Sequence, residues 1–462
     1  MLAAGLLLSV AVPLLAGLPW LLLMQRSAAP GGWPIAIGYG YGLGLLALVC
    51  GMHLLSLANM RIGLLDSLAL PLLLGAIGWW RGWSVALLRL ESAPVSARAT
   101  WRGMGRATRI VSVAIMALVV VRMITLAVEA VSRPIFPWEA ISGVAAKARV
   151  WYELGNLVPF VPPVAVLQGL GSYTDADPGA LSLPSLLLVW TANAIGEWQE
   201  GAVTFSWWML GVAIGLALYG HLRRSGAGVA FSLAFTYLLL SIPLVDMHIV
   251  LAGAPQWIAS AGVGLAGCAF LRWLDSPSRE LIGCILIGAA LALFSLASTW
   301  PWFAIFAVAA AIHHRPRIAV KAAVGVPLLG AIGLLALMQT PLTIGDLKVL
   351  LRLAPEWNET PESLILLANW HLLFGILLLA VIAGWRVIFS PEWRSRTWVV
   401  AMGLGLMIVK GVLSLPPYWF GGLRDFSYAG LQLAPMLVLW IALLAFERGS
   451  AARRVPGAVG AT

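Results

Sequence analysis

The chain has 462 residues, of which 61% are hydrophobic and 10% charged, with 48 glycines and 27 prolines; soluble domains carry about 25% charged residues. That composition excludes a soluble globular enzyme and describes a polytopic membrane protein, in which helices packed in lipid tolerate Gly and Pro. The net charge of +10 does not point to nucleic acid, because the basic residues are scattered in short loops between apolar segments, as membrane sidedness requires.

Apolar runs of about twenty residues, the length that crosses a hydrocarbon core of about 30 Å, begin at the N-terminus. The first, 2–23, lacks a basic n-region and an A-x-A site, so it is expected to be a retained helix rather than a cleaved leader. Further spans are expected at 35–58, 62–80 and 108–131, with a basic loop at 81–109 and Arg122 inside the fourth. The longest polar break, 133–204, follows. Spans resume at 205–221, 227–245, 255–272, 281–298, 300–312, 318–339, 363–385, 397–414 and 428–446, with Lys410 inside 397–414. The expectation is an all-α polytopic fold of about thirteen transmembrane helices. It divides into N-terminal helices with a basic loop (1–107), a main transmembrane unit (108–446) and a tail (447–462).

Charges inside spans are costly and face protein, a cavity or a partner. Arg122 and Lys410 therefore read as a buried structural pair, as snorkelling side chains or as transport elements. Cys50, Cys268 and Cys284 lie in apolar segments with no CxxC or Cys/His neighbour and read as small packing residues. The His313-His314 pair lies in a basic loop and reads as loop. No repeat of 20–50 residues and no inverted half-to-half symmetry is visible.

The positive-inside rule places Arg26, 81–109, Arg223, Arg224, Arg272, Arg279, 313–321, 386–396 and the tail on one side, which holds most of the 29 Lys and Arg. This side is expected to be cytoplasmic, with the N-terminus outside. The opposite side receives 133–204, the turn around Asp246, 298–302, 340–362 and 415–427, and collects most of the 19 acids.

Within 133–204, a wheel at 100° per residue puts Trp138, Ile141, Val144, Ala145, Ala148, Trp151 and Tyr152 on one face of a helix. Glu139, Lys147, Arg149 and Glu153 fall on the other. Pro137 suits its start and Gly155-Asn156 its end. Such a helix lies along a membrane surface with aromatics at headgroup depth. A second apolar run, 181–195, ends at Gly196-Glu197-Trp198-Gln199-Glu200 and is expected to be a second interfacial helix. The polar turn Tyr173-Thr174-Asp175-Ala176-Asp177-Pro178 separates the two.

The order Pro137-Trp138-Glu139-Ala140, Lys147-Ala148-Arg149, Leu154-Gly155-Asn156-Leu157-Val158-Pro159, a polar turn, an apolar helix and Gly196-Glu197-Trp198-Gln199-Glu200 resembles the first extracytoplasmic loop of GT-C glycosyltransferases. It is most similar to the protein O-mannosyltransferase and aminoarabinose-transferase branch, the bacterial glycosyltransferase family 39-like proteins. The resemblance covers about 108–225. Looser echoes follow at Asp246-Met247-His248 with Gly253-Ala254-Pro255, Asn369-Trp370-His371-Leu372-Leu373, and Arg424-Asp425 ahead of Leu431-Gln432-Leu433-Ala434-Pro435. The chain departs from the branch in carrying Glu139 where aspartate is usual, and in having three helices before the loop-bearing unit.

The resemblance implies transfer of a sugar from a polyprenyl-phosphate donor to a lipid, glycan or protein acceptor. The chemistry would take place outside a bacterial inner membrane, with Glu139 as the base of an inverting reaction. By its residues alone, Glu139 reads first as a solvated acid on a polar helix face. Asp175 and Asp177 form either an ordinary turn or a site that orients the acceptor or holds a divalent cation, Mg²⁺ or Mn²⁺. The leaving phosphate needs cations on the outer face, and the candidates are Arg424, Lys348, Arg352, Lys147 and Arg149. His248, His371 and Glu197 are further candidates, against an ordinary interfacial role. Two other functions compete: a transporter or flippase of lipid-linked or small solutes, and a polysaccharide ligase or polymerase.

Overall fold

The structure is a computed structural model that describes residues 1–25, 29–175, 177–250, 252–314, 342–344, 347–349, 352–353, 369–370, 372–414 and 422–453. Within these, backbone alone is described for 87–97, the residues of 342–353, 411–414, 422–425 and 450–453. Among the described residues the architecture is helical, apart from two antiparallel pairs of strands of two or three residues each. Among the described residues six helices are long and apolar enough to cross a membrane, or seven if one bent pair is a single span. The expected spans 255–272, 281–298, 300–312, 363–385 and 397–414 fall on helices of 19, 17, 15, 16 and 19 residues. The expected span 318–339 lies outside the described residues. The chain divides into two compact units. One is Met1–Ser241, Val245–Ala269 and Ser278–Ala297, and the other is Ile242–Leu244, Phe270–Pro277 and Ser298–Thr462.

The first unit is built around α2 (Gly32–Leu57), which packs against α1 (Leu2–Met24). In lipid, helices gain little from burying apolar surface, so close packing through small residues decides which ones associate. The run Gly38-Tyr39-Gly40-Tyr41-Gly42-Leu43-Gly44 supplies two glycine pairs at i, i+4. Cβ atoms at Gly40 and Gly44 would collide with the α1 backbone at Leu18 and at the Pro13 carbonyl. A Cβ at Gly38 would sit 2.5 Å from the Ala213 carbonyl of α8 (Phe205–Arg224). One at Gly42 would sit 2.9 Å from Leu291 of α12 (Arg279–Ser295). One helix thus accepts α1 and α8 at backbone distance and α12 through its side chains. Tyr39 between them is buried, donating to the Leu265 carbonyl at 2.7 Å and meeting His221 Nε2 at 2.9 Å.

The expected basic loop 81–109 is mostly helix: α3 runs Leu64–Gly103 and α4 begins at Arg106 and ends at Ser132. The expected span 227–245 is broken into α9 (Val229–Leu240) and α10 (Pro243–Val250), bent by 63°. Pro243 has no amide hydrogen and its ring clashes with the preceding turn, so the helix must break there. Asp246 therefore lies in a helix after the break rather than in a turn.

Polar contacts join connections at both ends of α2. Ile62 N–H donates to the Gly155 carbonyl at 2.8 Å and Asn193 Nδ2 to the Ile62 carbonyl at 3.0 Å, so the 58–63 connection meets the 133–204 loop. At the other end of α2, Gly31 lies against the Gly220 carbonyl and Arg223, and Arg224 pairs with Glu280 at 2.6 Å.

In the second unit, α13 (Trp300–His314) packs on the helix Arg394–Val412, and that helix on the long helix Gly422–Arg453. Trp302 Nε1 donates to Gln432 Oε1 at 2.5 Å, and Gly384 lets Leu444 approach. Asp275 is gripped by Arg272 and Arg396, and Glu447 accepts from Trp393. Strands β1 (Leu342–Ile344) and β2 (Leu347–Val349) pair with Thr343 opposite Lys348. Strands β3 (Arg352–Leu353) and β4 (Leu413–Ser414) pair with Arg352 opposite Ser414.

Candidate functional site

Chain leaving α4 is closed by an i,i+4 pair, Arg133 with Glu129. Pro134 and Pro137 then hold it extended until the Pro137 carbonyl accepts from Ala140 at 2.9 Å and Ile141 at 3.0 Å. Helical structure starts there, as expected, and ends at Gly155 with φ of 63°, a left-handed cap suited to glycine. Its interior departs from the wheel. Ala140–Ala145 is a π-helical segment, followed by α5 (Ala146–Leu154). A π turn holds more residues than an α turn, so positions before and after it lose a common face. Ala140, Ala148 and Trp151 are buried while Trp138 is 78% exposed. Lys147, expected on the water face, is 4% exposed.

Glu139 lies in the first turn and is half-buried, where a helix start favours negative charge. Gln256 Nε2 donates to its Oε2 at 3.0 Å. The contact depends on Gly253, whose φ of 102° excludes most side chains. A Cβ there would lie 3.1 Å from Ile135 and 3.2 Å from Ala140, so the turn sits flush against the Glu139 segment. Two tryptophans lock that turn: Trp207 Nε1 donates to the Ala254 carbonyl at 2.9 Å and Trp257 Nε1 to the Trp207 carbonyl at 2.8 Å. Gln256 heads α11 (Pro255–Trp273) and is itself buried, with no hydrogen-bond partner for Oε1 among the described residues. The residues alone did not single it out. Its one available signal is that it is the sole amide in an apolar helix, directly after Gly253-Ala254-Pro255.

Lys147 and Asp175 form an ion pair with Nζ 2.5 Å from Oδ2, both side chains enclosed. Lys147 also donates to the Asp177 carbonyl at 2.9 Å, and Asp177 N–H donates to Asp175 Oδ1 at 3.2 Å. This corrects two expectations. Lys147 does not present a charge to a donor phosphate, because Asp175 already neutralises it. Asp175 and Asp177 do not fit a divalent cation, since the ammonium occupies the face of the carboxylate that a metal would need and the Asp177 side chain turns to solvent. Among the described residues no group of three His, Cys, Asp or Glu is placed to hold a metal.

The helix α7 (Leu183–Ile195), expected at the interface, is instead interior. Leu186, Leu187, Leu188 and Trp190 are fully enclosed, and Trp190 Nε1 donates to the Ser9 carbonyl of α1 at 2.9 Å. A helix apolar on every face has no side for water. Beyond it Glu197 is exposed and accepts from Gln199, and Trp198 lies 6.0 Å from Tyr152. Partial burial, together with Glu153 and Glu197, pushes the Tyr152 hydroxyl above its ordinary range.

Arg122 pairs with Asp246, which joins α4 to the broken span. Asp246 is 7% exposed, so the charge inside α4 is matched by one in its neighbour. His248 is half-buried on α10, and Arg149 is exposed on α5. The side chains of Arg424, Lys348 and Arg352, and the whole of His371, lie outside the described residues. The structure thus brings together Glu139 with Gln256, Lys147 with Asp175, and Arg122 with Asp246.

A scan against protein-family models finds no match, and searches of curated proteins and of solved structures find none either.

Proposed function

We propose that this membrane protein is a glycosyltransferase of GT-C type that uses a polyprenyl-phosphate sugar, with Glu139 as its base, at the outer face of a bacterial inner membrane. The observation that carries the reading is the setting of Glu139. A carboxylate at the head of a surface helix, next to the end of a span, is fixed by an amide from the first turn of α11. In the reaction an acceptor hydroxyl attacks the anomeric carbon as the bond to phosphate oxygen breaks. The hydroxyl proton passes to Glu139 and polyprenyl phosphate departs with the bonding pair. Attack from the face opposite the leaving group inverts the anomeric centre. Arg149, Arg424, Lys348 and Arg352 remain the cations proposed for the phosphate; Lys147 is excluded by its ion pair with Asp175.

The test is transfer from a panel of radiolabelled polyprenyl-phosphate sugars by the full chain in lipid nanodiscs. Glu139→Gln is expected to abolish product while protein yield and donor binding are retained. Unchanged transfer removes Glu139 from the reaction.

One observation favours a second reading. The 63° break between α9 and α10, with Asp246 just beyond it and Arg122 facing it, is the kind of discontinuous charged helix that transporters place at substrate sites. Solute flux into proteoliposomes without any covalent product would favour that function over transfer.

A further inference from the structure

Between α5 and the acidic turn the chain makes an excursion that neither reading of function uses. Its base is fixed. Val161 N–H donates to the Tyr173 carbonyl and Asp175 N–H to the Val161 carbonyl, both at 3.0 Å. Trp151 Nε1 holds the Val158 carbonyl at 2.9 Å, Phe160 lies edge-on to Trp151 and against Tyr173, and Lys147 sits 5.9 Å over the Phe160 ring. The buried Lys147–Asp175 pair closes the same base.

Its tip has the opposite character. The short helix α6 (Pro163–Leu167) has no buried residue. Val164 is 63% exposed, Leu167 89% and Leu170 69%. No residue from Leu157 through Thr174 is charged. Much of the amide hydrogen bonding is internal: Pro162 and Pro163 carry no amide hydrogen, and the amides of Ala165, Val166, Gln168, Gly169 and Leu170 bond to carbonyls of the tip. Water-facing loops are polar and leave amides to solvent, whereas a segment entering lipid must hide its backbone groups and shed its charge.

We propose that residues 162–171 form an apolar finger that enters the lipid leaflet at the end of the molecule where α4 terminates, with Leu167 deepest. Lipid is the occupant because the chain that leads into this loop from α4, a helix long and apolar enough to cross a membrane, also exposes large apolar side chains. Ile124 and Val128 of α4 are exposed, followed by Phe136 at 71% and Trp138 at 78% exposed just past its end. The finger extends an existing membrane contact. The proposal does not depend on the chemistry assigned to Glu139.

The test uses the full chain in nanodiscs of phosphatidylcholine and phosphatidylglycerol, with Cys50, Cys268 and Cys284 replaced by alanine. Leu167→Cys carries an environment-sensitive fluorophore, and Glu153→Cys, on the exposed face of α5, is the water reference. The Leu167 label is expected to emit at shorter wavelength, to be quenched by lipid spin-labelled near the headgroup, and to be at least severalfold less sensitive to iodide than the Glu153 label. Iodide sensitivity equal to that at Glu153 would place the finger in water and overturn the proposal. Protection from both quenchers would mean that another part of the chain covers it, which overturns the proposal equally. If the cysteine-free chain does not fold, the same labels are read with native cysteines present, subtracting the unsubstituted chain.

Discussion

Lys147 and Asp175 face one another as an enclosed ion pair, Nζ 2.5 Å from Oδ2, and this pair fastens the acidic turn to the surface helix. Two charges removed from water are stable only as long as each has the other, so breaking the pair differs from deleting it.

Lys147→Met is therefore expected to destabilise the protein by about 3–5 kcal/mol, because it leaves a buried carboxylate uncompensated. The double variant Lys147→Met/Asp175→Leu is expected to recover most of that loss. Thermal unfolding midpoints in detergent for the two singles and the double check this, and equal midpoints for single and double would show that the pair does not hold the loop.

If Glu139 is the base, Gln256 acts by positioning it rather than by touching substrate. Gln256→Leu removes one hydrogen bond of roughly 1.4 kcal/mol, which predicts about a tenfold fall in kcat with KM little changed. Gln256→Glu, which sets a second carboxylate against the first, is expected to reduce kcat further at neutral pH and to recover partly as the pH falls and one acid takes a proton. Steady-state transfer measured across pH separates the two variants, and a fall confined to KM would argue against positioning.

The glycines of α2 are not equivalent. Gly44→Ala drives a Cβ into the Pro13 carbonyl, a backbone atom that cannot step aside, whereas Gly42→Ala meets the ends of the Leu291 and Ile287 side chains. The first is expected to cost about 3 kcal/mol or more and the second under about 1.5 kcal/mol. Monodispersity on size-exclusion chromatography after heating ranks them, and reversal of the order would contradict the helix contact.

Arg122 is about two-fifths exposed on α4 while its partner Asp246 is nearly enclosed. Arg122→Leu is thus expected to cost only about 1–2 kcal/mol, the solvent- or lipid-exposed side of the pair being discounted. Arg122→Leu/Asp246→Asn is expected to be at least as stable as the single variant. If instead both variants keep full stability and lose solute flux, the pair serves transport.

Much of the architecture was legible along the chain. The ends of α2, α4 and α8 follow from apolar length, since crossing lipid demands about twenty residues whatever their neighbours. Pro137 and Gly155 bounded the surface helix because proline and glycine act on their own backbone. The contact of 58–63 with 133–204 was not legible, because the one charge in that connection, Arg61, gives no sign of which loop it meets.

What the tertiary structure decided is which polar groups meet. Nothing in the spacing of Glu139 and Gln256, or of Lys147 and Asp175, announces a contact, and the π segment at Ala140–Ala145 turned Lys147 from the water face to the interior. The burial of α7 against α1 and the pairing of Asp246 with Arg122 were decided the same way. Hydropathy and local backbone preference are properties of a residue and its near neighbours, and they survive in the unfolded chain. An ion pair or an oriented carboxylate is a property of two distant residues, and it exists only once helix packing has fixed the distance between them.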